Sequence, residues 1–387
     1  MKQYGKTTTA QRSVRFIIGL VILLIVLLSI AGLLVFSPKP APPPPPLTTV
    51  SCVGGSEKSP LMEDPQVKKI LADKYHLAVD FQAMGSLDQA LLPTDQLKQR
   101  KTDCLWPSSA GAQLVFEAKH NTADFPAYKA DTVLRTPEVI YSGPSATDAL
   151  MKARIVQQRD NRYFIVNMKE LLLNYVLKGK RWEDLGTSGI RGPVKIGSTD
   201  PAQSNSGFTL YLLKLAIVAT DDPYTSPNED QARKVLSTIK ALRDAQGLQS
   251  KSSGFGFDQW LQQGGEVYLP LYAGYESQII EKIAQNPQQA KELLKDVRVL
   301  YPEPTVYSDH PILAFDKQAQ QLIDAMKDPQ IQSIAWKQHG FRAVVPGITN
   351  MGDFSQIPLA ERPQATNVPN ANVVLMLQHC LKDNVCQ

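Results

Sequence analysis

One stretch constrains the fold of this chain more than any other: Val194 to Ile217, VKIGSTDPAQSNSGFTLYLLKLAI. A short apolar strand is expected over Val194 to Ile196, ending at Gly197. A loop of small polar residues follows, and then apolar residues return at helical spacing: Phe208, Leu210, Leu212, Leu213, Leu215 and Ile217. Ser204, Asn205 or Ser206 can cap that helix, because a side-chain oxygen there satisfies the orphan N–H groups of the first turn. The same groups, at the positive end of a helix dipole, suit a small polar or anionic ligand. A capped loop without a ligand explains one such junction equally well, so the argument depends on recurrence.

The junction recurs. Thr48 to Val53 reads as a strand ending at Gly54-Gly55-Ser56-Glu57, and Thr102 to Trp106 as another ending at Pro107-Ser108-Ser109-Ala110. Between them lie a helix (Pro65 to Tyr75), a strand (Leu77 to Phe81) and a helix (Ser86 to Leu92); Ala112 to Lys119 is helical again. Strands separated by helices imply right-handed βαβ units in a mostly parallel sheet, whose ligands bind beyond the carboxyl ends of the strands. Glu138 to Ser142 reads as a strand leaving this first lobe. A second α/β segment follows: helices at Ala146 to Gln157, Met168 to Leu177 and Glu229 to Ala245, and strands at Tyr163 to Val166 and Val267 to Leu271. The last of these strands leads to Tyr275-Glu276-Ser277 and the helix Gln278 to Gln285. Val297 to Tyr301 and Thr305 to Phe315 return the chain to the first lobe, which Gln318 to Gln338 would cover as two helices broken at Asp328-Pro329. The tail from Gly347 is loop-rich and ends in a helix, Ala371 to Leu381.

The amino terminus sets the compartment. Phe16 to Phe36 is 21 residues without a charge, and about 20 apolar residues span a bilayer core. Lys2, Lys6, Arg12 and Arg15 precede it, which places the amino terminus in the cytoplasm and the rest outside. A cleaved signal peptide is the competing reading, but its apolar region is typically about 7–15 residues. The expectation is therefore a cytoplasmic segment (1–15), one uncleaved transmembrane helix (16–36) and a stiff proline-rich linker (37–46) holding a folded head off the membrane. Five of the 41 basic residues and none of the 37 acidic ones fall in the first 46, so the remainder carries a formal charge of −1. The basic balance belongs to the anchor and gives no reason to expect nucleic-acid binding. The five histidines are scattered without metal-ligand spacing, and no cofactor is expected.

An extracytoplasmic head permits disulfides. Four cysteines allow three pairings, and the short loop between Cys380 and Cys386 favours that pair. Cys52 and Cys104 each stand four residues before a loop serine, on strands expected to be neighbours. Free thiols suit parallel-strand geometry better than a bond there.

Four polar loops at strand ends, two in each inferred lobe, resemble the pattern of the type II periplasmic binding-protein fold. The matching residues are Gly55-Ser56-Glu57, Trp106-Pro107-Ser108-Ser109, Pro201 to Gly207, Gly274-Tyr275-Glu276-Ser277, Tyr301-Pro302 with Asp309-His310-Pro311, and Gly340-Phe341-Arg342. More narrowly, the chain is similar to the extracellular solute-binding family that includes the molybdate-binding proteins and their membrane-anchored relatives. The resemblance covers roughly residues 50–345. It implies an α/β, two-lobed fold with parallel or mixed sheets flanked by helices, after one transmembrane helix. It implies lobe 1 over 47–137 and 305–346, lobe 2 over 138–304, and a C-terminal extension over 347–387. It also implies hinge closure over a small polar solute, an oxyanion among the candidates, held by Ser56, Glu57, Ser108, Ser109, Ser204, Asn205, Ser206, Tyr275 and Glu276. The implied partners are that solute, a bacterial membrane through the N-terminal helix, and a transporter permease of ABC type or a membrane sensor. Glu57 and Glu276 depart from the molybdate pattern, since a buried carboxylate facing a dianion is repulsive. Either they point away or the ligand brings a donor or cationic group, and molybdate is not assigned.

Two other functions compete. A serine hydrolase needs a base beside its nucleophile, and the sequence has neither a Gly-x-Ser-x-Gly elbow nor a Ser-x-x-Lys at a strand–helix turn. The expectation is no enzyme. An interaction or envelope-assembly module that keeps the fold without a small ligand is the stronger alternative, favoured by the tail after Gly347 and the fixed anchor.

Overall fold

The computed structural model describes residues 9–35, 46–125, 127–246 and 249–386. Residues 1–8 of the expected cytoplasmic segment, Phe36, and residues 37–45 of the expected linker lie outside them. The chain divides into two compact units, Met1–Pro46 and Leu47–Gln387. In the first, Thr9–Val35 is one 27-residue helix. Its side chains are described only over residues 16–29, all exposed. Among the described residues no helix is long and apolar enough to cross a membrane, so the expected span over 16–36 rests on the sequence alone.

The second unit carries ten strands among the described residues: β1 (Thr48–Gly54), β2 (Leu77–Ala83), β3 (Cys104–Trp106), β4 (Lys129–Ser142), β5 (Val156–Arg159), β6 (Tyr163–Asn167), β7 (Leu271–Tyr275), β8 (Arg298–Glu303), β9 (Tyr307–Ala314) and β10 (Arg342–Ala343). They join in the order β2-β1-β3-β9-β4-β8-β6-β5, with β7 and β10 also pairing to β4. The arrangement is mixed. β1 pairs in parallel with β2 and β3, and β6 with β8, whereas β3, β7, β8 and β10 meet their partners β9 or β4 antiparallel. β4 is the shared member: β9 runs along it from Lys129 to Pro137, and β7 takes over from Glu138 to Ser142. It therefore begins nine residues before the strand expected at Glu138. Lys129 and Arg135 are exposed and Asp131 is half-buried in this first part, and they break the apolar pattern that marks a buried strand.

Other local expectations change as well, among them the strand expected over Val267 to Leu271, which is β7 at Leu271–Tyr275, with Val267 ending a 3-10 turn. Val194 to Ile196 forms no strand. Val194 and Ile196 are buried, and the segment joins β7 only through the flanking Gly197, whose N–H donates to the Leu271 carbonyl (3.0 Å) and whose carbonyl accepts from Ala273 (2.8 Å). The helix expected over Ala146 to Gln157 stops at Lys152, and Val156–Arg159 turns back as β5. Cys52 and Cys104 stand directly opposite each other in the parallel pair β1–β3 and form a disulfide, not free thiols. Their Cα atoms are 4.7 Å apart, within the range of about 4.4–6.8 Å that a disulfide spans. The direct register of the two residues brings them within bonding range across the parallel pair. The second disulfide joins Cys380 and Cys386 as expected.

The helix Asn205–Ala219 is buried on every side from Asn205 to Ile217, as a helix apolar all round must be. Even Lys214 is buried, with Nζ 4.2 Å from the centre of the Tyr211 ring, and burial pushes its ammonium down to about 7. The helix Glu229–Asp244 packs on it, and the C-terminal helix Ala371–Asp383 touches both of these and the helix Ala110–Lys119.

Candidate functional site

The site starts at the end of β1. Gly55 carries the chain out of the strand into a single 3-10 turn, Ser56–Lys58. A Cβ at Gly55 would collide with the Ser108 hydroxyl and the Glu57 carboxylate, so only glycine lets these groups come this close. Glu57 and Lys58 are both buried, a placement that charged residues adopt only when paired. Lys58 Nζ donates to Glu57 Oε1 (2.7 Å), Ser108 Oγ (2.8 Å) and His310 Nδ1 (3.1 Å), which uses all three of its hydrogens. Ser108 Oγ in turn donates to Glu57. Burial alone would raise the Glu57 pKa, but Lys58, His310 and the Ser108 hydroxyl together hold it at about 2. Burial pushes the Lys58 ammonium down and His310 well down, the latter helped by the Lys58 charge. The cluster is therefore an ionised carboxylate on its own buried counter-ion, beside a neutral imidazole.

This arrangement bears on nucleophilic chemistry. Ser108 has a lysine and a carboxylate in reach, but the lysine is held by its anion and a carboxylate titrating near 2 is a feeble base at neutral pH. The Ser108 hydroxyl is held in place by its bonds to Lys58 and Glu57.

The opposite wall comes from the loop before the helix Asn205–Ala219 and from Lys251 to Ser253. Ser204 stands at the cap position but makes no capping bond. The first-turn N–H groups are satisfied from elsewhere: Gly207 donates to Thr199 Oγ1 (2.9 Å) and Ser206 to Ser253 Oγ (3.4 Å). Thr199, Ser204, Ser206 and Ser253 close a ring of hydroxyls with contacts of 2.7 to 3.0 Å. Asn205 reaches across the ring's edge: its amide donates to the Ser108 carbonyl (2.8 Å) and the Tyr275 hydroxyl (2.9 Å), while its own buried Oδ1 has no partner. Ser56 and Ser252 meet hydroxyl to hydroxyl at 2.8 Å. The two walls are thus in direct contact around a cavity of about 220 Å³.

Of the nine expected residues, Ser56, Glu57, Ser108, Ser204 and Asn205 line this cavity; Ser109, Ser206, Tyr275 and Glu276 do not. Ser109 caps the helix Ala110–Lys119 by accepting from Gly111 N–H (3.0 Å). Ser206 is held inside the hydroxyl ring, and Tyr275 is buried with its hydroxyl on Asn205. Glu276 turns away to Arg342, which donates to both of its oxygens at 2.7 Å, and it also accepts from the Tyr301 hydroxyl at 2.5 Å. The repulsion feared between Glu276 and an anionic ligand is therefore met by a buried ion pair facing elsewhere. Lys58, Thr199, Ser252 and Ser253 were not singled out from the sequence. Lys58 directly follows the Gly-Ser-Glu motif, and the Ser252-Ser253 pair precedes Gly254 at a helix start, so both carried a local signal.

No family model matches the sequence, and no curated protein matches it either. Solved structures do match in fold. The sulfate-binding protein SubI from Mycobacterium tuberculosis H37Rv superposes with a TM-score of 0.50 at 14% identity, over 82% of this chain and 94% of that one. A periplasmic thiamin binding protein gives 0.55 at 13% identity, over 87% and 95%. The ferric binding protein from Campylobacter jejuni gives 0.54 at 10% identity, over 87% and 99%. The chain has the two-lobed α/β fold of periplasmic substrate-binding proteins of type II, with a mixed sheet and flanking helices.

Proposed function

We propose that this chain is a membrane-anchored extracytoplasmic solute-binding protein of bacteria, which closes two lobes over a small polar solute. The observation that carries the reading is the cavity itself. Ser56, Glu57 and Ser108 form one wall and Ser204, Asn205 and Ser252 the other, so a solute between them would touch both lobes at once. We take lobe 1 as residues 47–137 with 305–346, lobe 2 as 138–304, and 347–387 as an extension. The apolar run 16–36, the four basic residues before it and the two disulfides support a single-pass anchor with the head outside the cytoplasm. Delivery to an ABC-type permease is the role proposed first, and reporting to a membrane sensor the second.

Glu57 narrows the solute. Glu57 faces the cavity as a hydrogen-bond acceptor with Lys58 as its counter-ion, which favours a solute with at least one donor group. Thermal unfolding of the compact unit Leu47–Gln387 against oxyanions, amino acids and small cations tests the reading. A specific solute at a hundredfold excess over its dissociation constant stabilises the fold by about 2.7 kcal/mol. No shift with any solute, from a folded protein, would favour the second reading: an interaction or envelope-assembly module. The observation on that side is that the two walls already bond to each other, Ser56 to Ser252 and the Asn205 amide N–H to the Ser108 carbonyl.

A further inference from the structure

The C-terminal helix Ala371–Asp383 pairs with no strand, yet it closes the largest apolar core of the molecule. Val373, Val374, Leu377 and Leu381 are fully buried in one continuous cluster. On one side that cluster contains Val115 and Phe116 of the helix Ala110–Lys119, which packs on β9. On the other it contains Leu236 and Ile239 of the helix Glu229–Asp244, which packs on Asn205–Ala219 above β7. The polar contacts divide in the same way. Lys382 donates to Asp88 (2.6 Å), beside β1 and β3, while Asn372 donates to Glu229 (2.7 Å). At the amino end of the segment, Val368 and Val374 fit against Gly111, where a Cβ would meet them at 3.3 and 3.4 Å. The Cys380–Cys386 disulfide ties the chain back over the last turn. Gln378 lies beside the site: it lines a separate small cavity of about 10 Å³ together with Ser86 and Asn205, and its buried Oε1 has no partner.

We propose that the helix Ala371–Asp383 is a clasp that holds the two lobes closed, so that the cavity exchanges its solute only when the clasp releases one lobe. A hinge motion separating Ala110–Lys119 from Glu229–Asp244 must pull one of them off this helix. It would expose valine and leucine side chains to water or leave a void, and both resist opening. A cleft between polar lobes alone has no such restraint. The statement about exchange rests on the solute-binding reading; the clasp does not.

The test uses the full chain in detergent micelles without any solute, spin-labelled at Lys98→Cys and Lys234→Cys, one exposed position on each lobe. The four native cysteines are held in disulfides and stay out of the labelling. Pulsed electron–electron distance measurement should give one narrow distribution, and Leu377→Ala with Leu381→Ala should broaden it and move it to longer distances. An unchanged narrow distribution in a variant with native circular dichroism overturns the clasp. If that variant does not fold, hydrogen exchange on the unsubstituted chain decides. The amides of 371–383 should share the protection of 110–119 and 229–244. Exchange of 371–383 well ahead of both overturns the proposal. Failure of the solute-binding reading appears separately, as a flat thermal panel with the distance result intact.

Discussion

Replacing Glu57 by Gln keeps the size of the side chain and removes its charge. In the folded protein Glu57 titrates at about 2 against an ordinary 4.5, a difference that corresponds to about 3 kcal/mol of stability at neutral pH. The folded value is the depressed one. The contribution is therefore complete above pH 4.5 and disappears as the pH falls through about 2. Urea unfolding at a series of pH values should show the native protein losing about 3 kcal/mol more than Glu57→Gln between those limits. Other carboxylates, Asp328 among them, titrate in both proteins and cancel in the difference. At pH 7 the same lost interaction is felt on the other side of the pair, because Lys58 stays buried without its anion. Breaking one side of a buried pair costs about 3–5 kcal/mol, whereas replacing both partners by apolar groups of similar size is often close to neutral. Glu57→Gln with Lys58→Met should then be more stable than Glu57→Gln alone. Equal acid sensitivity in the native protein and Glu57→Gln, together with a double variant no better than the single, would refute the buried-pair account.

Two further outcomes follow from single positions. Burial holds Lys214 at about 7 against 10.5 unfolded, so it costs stability below pH 7 and that cost is relieved as the pH rises from 7 to 10.5. Lys214→Met should be the more stable protein at pH 6 by at most about 5 kcal/mol and should lack that rise, read from urea midpoints at both pH values. Gly55→Ala should destabilise the head and remove the solute-dependent shift in thermal unfolding, because the added methyl displaces both Ser108 Oγ and the Glu57 carboxylate; a normal melting temperature with a normal shift would contradict this geometry.

The two-lobed α/β architecture was legible because each strand–loop–helix junction writes its own local signal. β1 with its Gly-Ser-Glu exit, β3 with its Ser-Ser exit and the helix start at Asn205 all lie close to where the residues placed them. The first part of β4 was not legible, because its exposed or half-buried charged residues hide the period of the strand. Val194 to Ile196 has strand composition but pairs only at the neighbouring Gly197, an outcome set by tertiary neighbours and not by propensity. Within the site, residue types carried the hydroxyl-rich walls but not the direction each side chain takes. Glu57 and Glu276 look alike in sequence; one faces the cavity with Lys58 behind it, and the other faces Arg342, which lies 66 residues away in the chain. The capping of the helix at Asn205 by Thr199 and Ser253 is a similar case, since a partner 47 residues from Ser206 leaves no mark in the local pattern.

The Cys52–Cys104 bond, described above as a link between neighbouring strands, also changes the covalent topology of the head. It closes a ring in the chain whose ends are 52 positions apart, which contains β2 and the helices that lead to β3. A protease that nicks any exposed loop inside the ring cuts the backbone and still leaves one molecule, because both fragments remain joined through sulfur. Between the head and the amino-terminal segment the only covalent route is the single backbone before Cys52. Cleavage there releases the whole head in one piece, whereas cleavage within the ring releases nothing until a reductant opens the bond.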